Sequence, residues 1–260
     1  MSLIAPDGRK IPITMATQHP DNAGKVPWLD KEFVSTADEI EECYRCFSDL
    51  HADEYMWDWE GKFVDEAVVE KLFRSYQDYF QTHALGKDFF LTFRIPNTDE
   101  EKTARIARAY MSILTADDFA KSSGFYNPPV FEVILPMTKH ADQLINVQRT
   151  FKQVAEFEHK VFVHETGDIS SIKVIPIFEE VETIINSWKI LKEYAAKYES
   201  TFGEKLSYLR PFIARSDPAM NAGLLAAEVA VRCALSNYYY KFLPETGIQV
   251  YPIVGTGSLP

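Results

Sequence analysis

Two acidic residues, Glu179 and Asp217, follow the short apolar runs Lys173 to Ile177 and Tyr208 to Ala214, each where a strand-like segment gives way to a helix-like one. Carboxylates at the ends of consecutive parallel strands face each other across a barrel mouth, at a separation that a hard divalent ion can bridge. Mg²⁺ or Mn²⁺ accepts one or two protein carboxylates and keeps its other positions for water and substrate oxygens. Plainer alternatives stay open. Asp217-Pro218 fits a helix N-cap with proline at the first helical position, Glu179 fits a dipole-stabilised first turn, and the pair fits a general acid and base. Arg94 ends the run Phe89 to Phe93. Its planar fork suits a carboxylate or phosphate, with an ion pair to Asp58 as the alternative. Arg215 is a second cation on the same rim. His19, between Gln18 and Pro20 after the run Ile11 to Thr17, is either a proton carrier or a hydrogen-bonded loop residue. Gly255, Gly257 and Ser258, in Gly-Thr-Gly-Ser after the last apolar run, offer backbone N–H groups to a phosphate.

These residues share a period. Seven apolar runs, about forty residues apart, end near Thr17, Trp57, Arg94, Leu135, Ile177, Ala214 and Val254, and a helix-like segment follows each of the first six. Strand and helix alternating without hairpin signals implies crossovers and a parallel sheet. Runs without clean alternation, such as Phe89 to Arg94, Val130 to Leu135 and Lys173 to Ile177, suit strands buried on both faces. No G-x-G-x-x-G occurs, which disfavours an open doubly wound sheet, whereas a barrel gathers functional groups after nearly every strand on one rim. The expected fold is therefore α/β, a (β/α)8 TIM-barrel-like architecture with extra helices. Residues 1–260 are expected to form a single catalytic barrel domain, incomplete at its C-terminus, because such a barrel closes with eight strands and only about seven are present.

Helix signals fill the intervals. Thr36-x-x-Glu39 and Thr98-x-x-Glu101 predict capping boxes. Val68, Val69, Leu72, Phe73, Tyr76 and Phe80 predict one apolar helix face, with Gly86 closing the helix, and Glu180 to Tyr198 predicts another. The charged segment Lys160 to Asp168 is the candidate extended loop. Cys43 and Cys46 form a C-x-x-C within a helical pattern that has no second pair, so core packing is expected over metal or redox use. Asp58 and Glu60, beside Trp57 and Trp59, form an acidic turn. Glu132, inside an apolar run, needs a partner or faces the site.

The bulk composition narrows the function classes. A formal net charge of −11 excludes an extended nucleic-acid surface, which would need clustered lysine and arginine. A hydrophobic fraction of 46% over 260 residues builds a large core. No segment approaches the roughly eighteen uninterrupted apolar residues of a membrane span, and no signal core opens the chain. With three cysteines there is no disulfide framework, so a cytoplasmic location is expected.

Taken in order, Thr17-Gln18-His19-Pro20-Asp21-Asn22, Pro176-Ile177-Phe178-Glu179, Arg215-Ser216-Asp217-Pro218-Ala219-Met220-Asn221 and the closing Gly-Thr-Gly-Ser-Leu-Pro resemble phosphoenolpyruvate carboxylases of the short, archaeal type. Met56-Trp57-Asp58 and Phe131 to Thr138 extend the likeness to essentially the whole chain. The resemblance implies a cytoplasmic lyase on a (β/α)8-type barrel with extra helices, using Mg²⁺ or Mn²⁺ and assembled as a homo-oligomer, a tetramer in the family. The implied reaction joins phosphoenolpyruvate and bicarbonate into oxaloacetate and phosphate. Carried over, Glu179 and Asp217 match the metal carboxylates, His19 the histidine beside the phosphate, and Arg94 a strand-end arginine serving anionic substrates. Bicarbonate would attack the phosphoryl group, giving carboxyphosphate and a metal-stabilised pyruvate enolate. His19 would assist release of CO₂ for capture by the enolate.

The sequence departs from the longer bacterial and plant form. Met220 stands where that form has lysine, and Tyr251-Pro252-Ile253-Val254-Gly255 stands where it has a histidine before a Gly-Arg-Gly-Gly loop. Arginines that the family supplies beyond Pro260 are absent, which puts the activity of an isolated 260-residue chain in doubt. The alternatives are a metal-dependent oxo-acid lyase or aldolase acting on a pyruvate enolate, and an inactive barrel fragment or scaffold.

Overall fold

In the computed structural model, which describes residues 3–18, 28–30, 34–60, 64–97, 99–100, 104–161 and 169–255, strands alternate with helices as the apolar period predicts. Two short strands, β1 (Leu3–Ile4) and β2 (Lys10–Ile11), pair with each other ahead of β3 (Met15–Thr17). Then come α1 (Thr36–Ser48), β4 (Glu54–Asp58), α2 (Val68–Ser75), α3 (Gln77–Thr82), β5 (Phe90–Arg94), α4 (Arg105–Ser122), β6 (Glu132–Leu135) and α5 (Ala141–Val161). The remainder is β7 (Lys173–Phe178), α6 (Val181–Phe202), β8 (Tyr208–Leu209), β9 (Phe212–Ile213), α7 (Ser216–Ala222), α8 (Leu224–Asn237), a π-helical turn at Tyr238–Phe242, α9 (Leu243–Thr246), β10 (Gln249–Val250) and β11 (Ile253–Val254). Seven strands form one sheet in the order β11-β9-β7-β6-β5-β4-β3. This is an α/β fold of the TIM-barrel-like type, with parallel strands and helices between them.

The described chain packs as two units, one built mainly from residues 12–133 and 151–173, the other from 4–11, 134–150 and 174–260. In the first, β3, β4 and β5 run parallel with Thr17 opposite Met56 and Asp58 opposite Arg94. All but the last residue of β4 and of β5 is buried, as expected for strands covered on both faces. Aromatic side chains fill this core: Phe47, Tyr55, Trp57, Phe80, Phe90 and Phe93 are essentially inaccessible. The buried Glu54 carboxylate accepts the Thr92 hydroxyl hydrogen bond from the neighbouring strand, the kind of partner that a buried carboxylate requires.

In the second unit, β7 pairs with β9, aligning Ile177 with Phe212 and Phe178 with Ile213. The run Tyr208 to Ala214 is not one strand. Its first half pairs with β10 and its second with β11, in a common register that aligns Tyr208 with Gln249 and Phe212 with Ile253. Pro211 and Pro252 sit at the two interruptions, where a residue without an N–H cannot continue the ladder. Helix α6 is tied to the end of α8 by Asn237 donating to the Ile185 carbonyl at 3.0 Å, and to the π-helical turn after it by the buried Ser187–Tyr238 hydroxyl pair at 2.6 Å.

Several local expectations need correction. The capping box of α1 lies one residue earlier than the sequence pattern places it: Ser35, extended at φ −89°, accepts from Asp38 N–H, and Asp38 accepts from Ser35 N–H at 2.8 Å. The reciprocal pair fits because only the residue with extended backbone can turn its hydroxyl onto the third helical N–H. Thr98 and Glu101 lie outside the described residues, and α4 is described from Arg105 with Ala104 ahead of it and no side-chain cap. The long helix after Val68 breaks at Tyr76, φ −132°, into α2 and α3. Gly86 lies beyond the end of α3, in a turn at φ +84°, where an added Cβ would meet the Pro128 carbonyl oxygen at 2.1 Å. Of the segment expected as a loop, Lys160 and Val161 complete α5, and 162–168 lie outside the described residues.

Cys43 and Cys46 are free and buried on α1. Burial pushes the Cys46 thiol up to about 12, aided by the nearby Glu42 charge, and raises Cys43 in the same way. Both thiols therefore stay protonated and unreactive at neutral pH, as a core role requires. Cys233 is partly exposed. A thiol-reactive chromophore at pH 8 is expected to label one cysteine rapidly in the native chain and all three in denaturant; fast native labelling of three would contradict the packing reading.

Candidate functional site

At the C-terminal ends of β3, β4 and β5, three backbones converge on an acid–arginine cluster. Arg94, the last residue of β5, donates through Nε to Asp58 Oδ1 at 2.8 Å and through Nη2 to Asp58 Oδ2. Its Nη1 lies 3.3 Å from Glu60 Oε2. This is the bidentate fork that guanidinium geometry favours, and its members are only 25%, 15% and 21% exposed. The strand register produces it, since residues directly opposite in a ladder point their side chains the same way and Asp58 is opposite Arg94. Backbone bonds stiffen the turn: Glu60 N–H donates to Asp58 Oδ1 at 2.9 Å and Trp59 N–H to the Arg94 carbonyl at 2.9 Å. The ion pair foreseen as the alternative role of Arg94 is thus formed. Arg94 is engaged by two carboxylates, Asp58 through the fork and Glu60 through Nη1.

In the second unit, Glu179 and Asp217 leave adjacent, paired strands. Ala214 N–H donates to the Phe178 carbonyl at 3.0 Å, and Glu179 is the next residue after Phe178. Glu179 precedes the helix: Glu180 occupies the N-cap of α6, so the dipole-stabilised first-turn reading does not apply. Its Oε2 instead accepts the Met137 N–H at 3.0 Å. Met137 has φ +50°, a left-handed conformation costing roughly 1–2 kcal/mol in a side-chain-bearing residue. Strain of that kind is spent where a backbone group must be aimed.

Asp217 is exposed in the first turn of α7, whose N-cap is Arg215 with no side-chain capping bond. The capping role foreseen for Asp217-Pro218 is therefore not the one it plays. Arg215 pairs with Glu228 of α8, and its Nε is buried without a hydrogen-bond partner among the described residues.

Gly255 follows β11, and its N–H donates to the Ile213 carbonyl at 2.9 Å. That amide is committed to the sheet, so any phosphate contact falls to the residues after it. A Cβ there would stand 3.1 Å from the Phe212 ring, a close approach that suits glycine. His19, Gly257 and Ser258 lie outside the described residues.

Among the described residues, no group of three or more His, Cys, Asp or Glu side chains could hold a metal ion. A pair suffices for Mg²⁺ or Mn²⁺, which complete their shells with water and substrate. Glu179, directly after β7, and Asp217, in the first turn of α7 after β9, carry hard oxygen donors, the donor chemistry such an ion takes. Sequence reading did not single out Met137 or Glu228 as partners, because both contacts depend on how a turn or helix folds back rather than on local spacing.

Parallel strands with helices returning between them define a fold of the α/β-barrel type. The chain belongs to the phosphoenolpyruvate carboxylase family, whose model matches residues 11–260. Curated relatives named phosphoenolpyruvate carboxylase include those of Leuconostoc mesenteroides (42% identity over 96% of this chain and 50% of the relative) and Metallosphaera sedula (41%, over 97% and 50%). That of Methanothermobacter thermautotrophicus is 39% identical over 96% and 53%. The chain spans about half the length of the curated relatives it matches. A solved citrate synthase variant aligns over 83% of this chain and 81% of its own with a TM-score of 0.39 and 10% identity. No helix of the described residues is long and apolar enough to cross a membrane.

Proposed function

We propose that this chain carries part of the active site of an enzyme that carboxylates phosphoenolpyruvate with bicarbonate, releasing oxaloacetate and phosphate. The observation that supports the reading is the pair Glu179, directly after β7, and Asp217, in the helix that follows the neighbouring strand β9, in a chain of this family. Both would hold a divalent cation, Mg²⁺ or Mn²⁺. When bound, that ion supplies Lewis-acid neutralisation of negative charge developing on a substrate oxygen.

The chemistry balances as follows. A bicarbonate oxygen attacks phosphorus and the bond from phosphorus to the enol oxygen breaks, leaving carboxyphosphate and the pyruvate enolate. Carboxyphosphate releases CO₂ and phosphate, and the enolate carbon captures CO₂. His19 would carry the bicarbonate proton during that release. Met137 N–H fixes the orientation of the Glu179 carboxylate, and Arg94 and Arg215 would hold anionic substrate groups. Gly257 and Ser258 would offer N–H groups to the phosphate. The bonds from Arg94 to Asp58 and Glu60 favour a second role for this arginine, as organiser of the Asp58–Glu60 turn.

The test is phosphate release from phosphoenolpyruvate by the full-length protein, with and without bicarbonate. Release that requires bicarbonate and is matched by oxaloacetate supports the carboxylase. An oxo-acid lyase would release no phosphate, and a scaffold would turn over nothing.

A further inference from the structure

The β3–β4 ladder ends in an irregular way. Gln18 N–H donates to the Met56 carbonyl at 3.2 Å, continuing the register. In a parallel ladder the next bond would run from Asp58 N–H to the main-chain carbonyl of Gln18. Here Asp58 N–H donates instead to the side-chain Oε1 of Gln18, at 2.9 Å. The carboxamide thus takes the place of the main chain as the acceptor for Asp58 N–H.

Gln18 is 5% exposed, and its Nε2 finds no hydrogen-bond partner among the described residues. Flipping the amide would not help, because it would set NH₂ against the Asp58 N–H, donor against donor. The oxygen is therefore the working end, and the structure holds it there with the nitrogen unsatisfied.

We propose that Gln18 is a positioning residue for Arg94, acting through Asp58: its carboxamide oxygen pins the Asp58 backbone, and the Asp58 carboxylate aims the guanidinium. The kinetic consequence rests on the carboxylase reading; the structural one does not. Gln18→Met is nearly isosteric and replaces the carboxamide oxygen with a thioether sulfur, at most a weak acceptor.

In the full-length protein, Gln18→Met is expected to raise KM for phosphoenolpyruvate about tenfold with a smaller change in kcat. In an Arg94→Lys background the further effect of Gln18→Met is expected to fall below about twofold, the non-additivity of residues acting in one chain. Fully additive effects, or no effect of Gln18→Met, would overturn the proposal. A crystal structure of the Gln18→Met protein supplies the arm that needs no activity. A guanidinium displaced from Asp58 is expected there, whereas an unmoved Arg94–Asp58 fork would refute the positioning role even if the wild-type protein proved not to be a carboxylase.

Discussion

Glu179→Gln is expected to lower kcat/KM for phosphoenolpyruvate by about 10³-fold, equivalent to about 4 kcal/mol of transition-state stabilisation. The substitution preserves shape and can still accept the Met137 N–H, so folding is expected to survive while the charge is lost. Asp217→Asn, at an exposed site in the first turn of α7, is expected to change thermal stability little. The same variant should weaken Mn²⁺ affinity by at least about 100-fold, beyond the range typical of second-layer residues. Calorimetric or spin-resonance titration of Mn²⁺ reads this without turnover. Unchanged affinity in Asp217→Asn would remove Asp217 from the metal site, and unchanged affinity in both variants would remove the site itself.

Arg94→Leu is the second large effect, and it is foremost one of stability. The substitution leaves the Asp58 and Glu60 carboxylates, each about four-fifths buried or more, without the guanidinium that both engage. Breaking a buried pair in this way costs about 3–5 kcal/mol. Chemical denaturation is expected to show that loss, and Arg94→Leu with Asp58→Asn to recover part of it by removing the stranded charge. A double variant as unstable as the sum of the singles would mean that the fork contributes little. Lysine at this position supplies a point charge without the fork, so Arg94→Lys is expected to lie between wild type and Arg94→Leu in both stability and KM.

The arrangement of strands was legible because each buried strand is an apolar run of fixed length, and crossover helices space those runs almost evenly. Arg94 and Asp58 could be paired from sequence because both close such runs, and the parallel register then sets them opposite each other. Helix boundaries were less legible. Whether Ser35 or Thr36 caps α1 depends on which residue is extended, and both have a hydroxyl and an acid three positions on. The break at Tyr76 and the divided strands around Pro211 and Pro252 are cases where a local conformation or a missing N–H overrides an unbroken apolar pattern. The Gln18 carboxamide and the strained Met137 were invisible for another reason: their roles depend on one hydrogen bond each, across about forty residues of sequence.

The proposed role makes one labelling experiment decisive. The full-length protein is incubated with phosphoenolpyruvate and bicarbonate carrying ¹³C and ¹⁸O, and both products are analysed by mass spectrometry. Attack of bicarbonate on phosphorus requires ¹³C in the new carboxylate of oxaloacetate and one bicarbonate oxygen in the released phosphate. Phosphate free of ¹⁸O, or no ¹³C in oxaloacetate, would contradict the account.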